Sequence, residues 1–144
     1  MTDQSSVPVD APEREQPESF RARSLAASLT VNDLQTSLAW YCNVVGFTVE
    51  RRHEREGTLR AVSLKAGTVK ILLGQDDGKK GMDRVKGQGF SLQFTTAQDV
   101  NQLANEIKER GGTFASEPAD APWGGRVFRL RDPDGFILVI SSER

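Results

Sequence analysis

Cysteine and histidine are almost absent from this chain. Cys42 is the single cysteine and His53 the single histidine among 144 residues. One cysteine cannot form an internal disulfide, which makes a reducing, cytoplasmic setting the expectation. The same scarcity works against a transition-metal centre, because such sites gather several imidazole or thiolate ligands. Nor does it leave a Cys/His pair or a Ser/His/Asp set for nucleophilic catalysis. Long apolar runs are missing too: none approaches the roughly 18 residues of a spanning helix. The first 24 residues hold no apolar core of the kind a secretory signal needs. There is no excess of one charge either. Lys and Arg number 19 and Asp and Glu 20, for a net charge of −1. Neither nucleic acid nor a membrane is therefore an expected partner.

What remains is the composition of one globular domain, 37% hydrophobic and 27% charged. Residues 1–22 are rich in Pro, Ser, Glu, Asp and Gln, so they read as a flexible tail. The remainder, 23–144, reads as a single domain. From Leu25, apolar residues alternate through Ala27, Leu29 and Val31, as in a strand. Asn32-Asp33 offers a helix cap, and Leu34, Leu38, Tyr41 and Val45 form a buried stripe that Gly46 ends. Three strand-like stretches follow, Phe47 to Arg51, Leu59 to Leu64 and Thr68 to Leu73. The second half repeats this order. Phe90 to Thr95 alternates, Val100, Leu103, Ala104 and Ile107 form a stripe, and Gly111-Gly112 closes it. Strands at 113–115, 127–130 and 136–140 complete the unit, the last two joined by Asp132-Pro133-Asp134-Gly135, a strong turn signal.

The spacing supports a duplication. Asp33 to Gly46 spans 13 positions, as does Asp99 to Gly112; Gly46 to Gly67 spans 21 and Gly112 to Gly135 spans 23. Such repeats fix a fold assignment early. The expected fold class is α+β: two βαβββ modules, about 25–75 and 88–142, forming a curved mixed sheet with a concave cleft and helices on the outer face. Residues 74–89 join the modules as a polar linker with a mixed, solvated charge pattern.

Two stretches carry a family resemblance. Leu29 to Phe47, LTVNDLQTSLAWYCNVVGF, resembles the opening of the glyoxalase, bleomycin-resistance and extradiol-dioxygenase group, the vicinal-oxygen-chelate superfamily. Phe128 to Ile140, FRLRDPDGFILVI, is similar to that family's last hairpin. The resemblance implies a ligand cleft and a homodimer. It also implies a divalent metal wherever the ligands exist, since catalytic members carry His or Glu on four strands facing the cleft. Those positions fall here at Ala26, at Lys70 or Ile71, at Ser91 or Leu92, and at Val139. None supplies an acid or imidazole, so no metal ligand and no cofactor is expected. Ala26, Val139 and Ile71 would instead give the cleft apolar surface, the usual make-up of a small-molecule site.

Five residues stand out as candidate ligand contacts. Trp123, on the Gly-rich loop before a strand, either stacks on a flat ligand or plugs a module or dimer seam. Arg129 lies between Phe128 and Leu130, so alternation turns it toward the cleft. There it pairs with a ligand carboxylate or phosphate, or else with an internal acid or solvent. Ser63, Ser91 and Gln93 share that parity. His53 lies in the charge run Arg51 to Glu56 and reads as a solvated strand residue. The leading expectation is a non-catalytic or metal-independent binder of a partly aromatic small molecule, of the bleomycin-resistance-like type. The competing ones are a glyoxalase- or dioxygenase-like lyase or oxygenase with an atypical metal site, and a regulatory partner tethered by residues 1–22.

Overall fold

A computed structural model describes residues 19–143 of the chain. Most of the expected tail, residues 1–18, lies outside the described residues. Regular structure begins at β1, Ala26–Val31. Leu25 falls before the strand and is 93% exposed, so the alternation starts one apolar residue later than its pattern suggests.

Helix α1 spans Leu34–Ala39, and the Asp33 side chain caps it by accepting from the Thr36 N–H. It then widens into a π-helical turn, Trp40–Val45. Gly46 ends that turn at φ 115°, a left-handed conformation that favours glycine, and its N–H reaches the Tyr41 carbonyl. The wider turn was not legible in the stripe, which reads equally well as one α-helix. Strands β2 (Thr48–Arg55), β3 (Thr58–Ala66) and β4 (Val69–Gln75) follow. The second module holds β5 (Ser91–Thr96), α2 (Val100–Glu109, capped by Asp99), β6 (Phe114–Asp120), β7 (Arg126–Arg131) and β8 (Ile137–Ser142). The βαβββ duplication is thus present, with β6 running farther than the short strand expected.

Each module forms its own four-stranded mixed sheet, in the orders β1-β4-β3-β2 and β5-β8-β7-β6. The first strand of each module is parallel to its last, and the other neighbours are antiparallel. The two sheets share no hydrogen-bonded strand pair among the described residues. The modules are joined instead through their helix-side cores. One continuous cluster includes Leu29, Val31, Leu34, Tyr41 and Phe47 of the first module and Ile107, Phe128, Leu130 and Leu138 of the second. Fully burying side chains of this size stabilises by about 1.5–3 kcal/mol each. The Phe47 and Phe94 rings meet edge-on at 6.1 Å across the seam.

Polar contacts fix the same seam. The buried Asp132 accepts from the Tyr41 hydroxyl at 2.7 Å. Asp134 accepts from the Asn32 N–H at 3.0 Å and from the Ser37 hydroxyl at 3.3 Å. The linker is not wholly solvated, either. Asp76 is buried, accepts from the Gly78 N–H at 2.8 Å, and pairs with Lys86 at 2.9 Å and Arg84 at 3.2 Å. Its charge pattern hid a buried ion pair because the partners lie several residues apart on a folded-back loop. No helix among the described residues is long and apolar enough to cross a membrane.

Candidate ligand-binding faces

Alternation sends one set of strand side chains toward the helices and the other to the opposite sheet face. In the first sheet, register places Ala26, Lys70, Lys65 and Thr48 in one row of that opposite face. Ser28, Leu72, Ser63 and Arg51 form the next row, and Thr30, Gly74, Ala61 and His53 the third. In the second sheet, Ser91, Ile137 and Arg131 align, then Gln93, Val139, Arg129 and Ser116. Thr95, Ser141, Val127 and Ala119 complete it.

Three of the five candidate contacts therefore come together. Gln93 and Arg129 flank Val139 on adjacent strands, and Ser91 stands one row away. Their floor is apolar: Ala121, Val127 and Val139 form a small buried cluster with Ile137 against it. Trp123 is 51% exposed on the loop that leaves Ala121, so it is not a buried plug within this chain. Ser63 stands apart, on the separate first sheet. Its hydroxyl lies 3.2 Å from His53 Nε2. His53 is thus half-buried on the sheet face, not a solvated strand residue. The charge run concealed this; bulges also shift the register between Val49 and Arg51 and between His53 and Glu54.

Arg129 is half-buried, yet no carboxylate among the described residues pairs with it. The internal salt bridge that competed with a ligand role is absent there. The rows carry further cations: Arg51, Lys65 and Lys70 on the first sheet, and Arg131 on the second. Against them stands Glu50, which meets Lys70 at 3.0 Å. The sheet faces are therefore basic although the whole chain is nearly neutral. This local excess was not legible in net charge.

The same rows test the implied metal. Register settles the open alignments: Lys70 pairs with Ala26 on the sheet face, while Ile71 is 2% exposed and faces the core. Likewise Ser91 lies on the face, while Leu92 packs on the core. The four positions thus present a methyl group, an ammonium already paired with Glu50, a hydroxyl and an isopropyl group. A divalent cation needs several converging anionic or imidazole donors. Among the described residues no three His, Cys, Asp or Glu side chains converge. These residues do not fit the metal. Cys42 offers no activated thiolate in its place, since burial pushes its thiol up despite the Arg52 charge.

A cavity lies elsewhere, on the helix side of the module seam. It encloses about 500 Å³ and is lined by Phe47, Phe94, Leu103, Ile107, Leu138 and Ile140 among others. None of the five candidate contacts lines it.

The probable lactoylglutathione lyase of Synechocystis is 28% identical over 122 residues, covering 81% of this chain and 92% of that protein. A member of the glyoxalase, bleomycin resistance protein and dioxygenase superfamily from Sphaerobacter thermophilus superposes with a TM-score of 0.71. It is 26% identical, and the match covers 85% of this chain and 98% of that one. TnmS3, an antibiotic binding protein from Streptomyces sp. CB03234, has a TM-score of 0.70 at 19% identity, covering 88% of this chain and 100% of its own. That likeness shows the fold. The family model matches residues 23–140. The chain belongs to the Glyoxalase/Bleomycin resistance protein/Dioxygenase superfamily.

Proposed function

We propose that this chain is a metal-independent binder of a small anionic molecule with a flat, partly aromatic body, held on the face of the second sheet. The observation that carries the reading is Arg129: a half-buried guanidinium with no carboxylate partner among the described residues, above an apolar floor of Val127 and Val139. A half-buried cation is costly when unpaired, and a planar fork suits a carboxylate or phosphate. Gln93 and Ser91 add hydrogen bonds that orient the ligand, and Trp123 closes over its ring. The basic rows steer anions toward the face. The fold shared with an antibiotic binding protein agrees with a sequestering role, and drug-like acids fall within the ligand class. The protein acts as a homodimer that covers exposed sheet edges; a solution mass near the 15.9 kDa of one chain would contradict that part.

Titration calorimetry with 1-naphthylacetate tests the reading. Wild type binds, and Arg129→Ala weakens binding by about 10-fold or more, the scale of a lost charge-assisted hydrogen bond. Melting temperature stays near wild type. Equal affinity in both proteins would sink the assignment of Arg129.

The likeness to a probable lactoylglutathione lyase supports a second reading, a lyase whose metal is held by unexpected groups. One metal ion per purified chain, retained through dialysis, would favour it; a ratio near zero would count against it.

A further inference from the structure

The seam cavity exists because the duplication is uneven. Asp33 and Asp99 cap equivalent helices, so Ser37 and Tyr41 of the first module correspond to Leu103 and Ile107 of the second. Around the first helix the seam is closed. The turn between β7 and β8 has five residues, Asp132 to Phe136, and its Asp132 and Asp134 bond Tyr41 and Ser37. The equivalent turn between β3 and β4 has two residues, Gly67 and Thr68. It stops short of α2. Leu103 and Ile107 then border an open space of about 500 Å³, with Gly67 and Thr68 at its rim. That volume lies in the range of small-molecule sites, roughly 300–1,000 Å³.

The lining sets the ligand chemistry. Phe47, Phe94, Leu138 and Ile140 give an apolar floor with two aromatic rings. Three charged side chains complete the wall: Glu106, Arg110 and Glu143. Arg110 is committed to the protein, its Nε donating to the Val44 carbonyl at 2.8 Å and its Nη2 to that of Val45 at 3.4 Å. Neither carboxylate has an ion-pair partner among the described residues, and Glu106 is half-buried. Two carboxylates against one engaged guanidinium leave the wall net negative. We propose that this cavity is a second ligand site, selective for a small organic amine with an aromatic body. The ring occupies the space that a turn fills on the other side of the seam, and the ammonium meets Glu106 and Glu143. The charge preference is opposite to that of the sheet faces, so the two sites take different molecules.

Calorimetric titration of the full chain with 2-(1-naphthyl)ethylammonium tests this, with 1-naphthylacetate as the size-matched anion. The ammonium binds wild type. The double variant Glu106→Gln/Glu143→Gln weakens it tenfold or more, and Leu103→Trp, which fills the cavity, removes it. Arg129→Ala leaves it unchanged, and Leu103→Trp leaves 1-naphthylacetate binding unchanged, so the two sites stand or fall separately. No ammonium binding to wild type, or binding indifferent to the double carboxylate variant, overturns the proposal. The double variant alone decides if Leu103→Trp does not fold.

Discussion

Two buried carboxylates respond to their surroundings in opposite ways. Asp76 is held down at about 2, below its ordinary 3.8, first by the Gly78 N–H and then by Lys86 and Arg84. A depressed carboxyl favours the folded state above its unfolded value, and that contribution disappears as pH falls through the folded one. Asp132 is pushed up, because burial outweighs its bonds from Tyr41, Phe136 and Asp134. Its contribution has the other sign: it is present in acid and lost as pH rises through its folded value. Stability should therefore fall between pH 3.8 and about 2 through Asp76. Urea unfolding across that window should show a shallower loss in Asp76→Asn than in wild type. Identical slopes would mean that the ion pair with Lys86 does not hold the linker. At this scale the sequence was partly readable. The Asp132 to Gly135 turn is plain from its residues. Its bond to Tyr41 is not, because 91 positions separate the partners. Alternation sends Arg129 to the face opposite the helices, and register puts it there, whereas His53 sits in a charge run that reads as solvated and yet is half-buried beside Ser63.

Elements were easier to read than contacts. Caps at Asp33 and Asp99, stops at Gly46 and Gly112, and period-two strands together give the βαβββ order twice. Glycine at the second stop is required by space. A Cβ on Gly112 would lie 2.5 Å from Ile107 Cγ2 and 3.1 Å from the Ile107 carbonyl oxygen, and Ile107 is itself buried. Gly112→Ala should destabilise by about 1–3 kcal/mol, as overpacking typically does. A urea midpoint equal to wild type would show that Ile107 gives way at the α2-to-β6 junction without cost. What the pattern could not give was the consequence of turn length. The two-position difference between the halves is visible in the spacing. That the shorter turn opens a cavity at α2 follows only once the helices and turns are placed together.

At the scale of the molecule, the two modules share one helix-side core and keep separate sheets. Strand register alone sets the outer side chains of each sheet in rows. Where catalytic members of the superfamily would need metal ligands, this chain has Ala26, Lys70, Ser91 and Val139. Lys70 is itself a cation, and Glu50 already pairs with it. Composition holds one histidine and one cysteine, few imidazole or thiolate groups for any site. It could not show that the faces are basic, because acids elsewhere cancel the total.

The central claim is that binding on the second sheet's face needs no metal. Titration with 1-naphthylacetate in the presence of EDTA tests it most directly. The account predicts the same affinity and heat with and without chelator. Binding that EDTA abolishes, and that added zinc or nickel restores, would contradict it and make a metal centre the heart of the site.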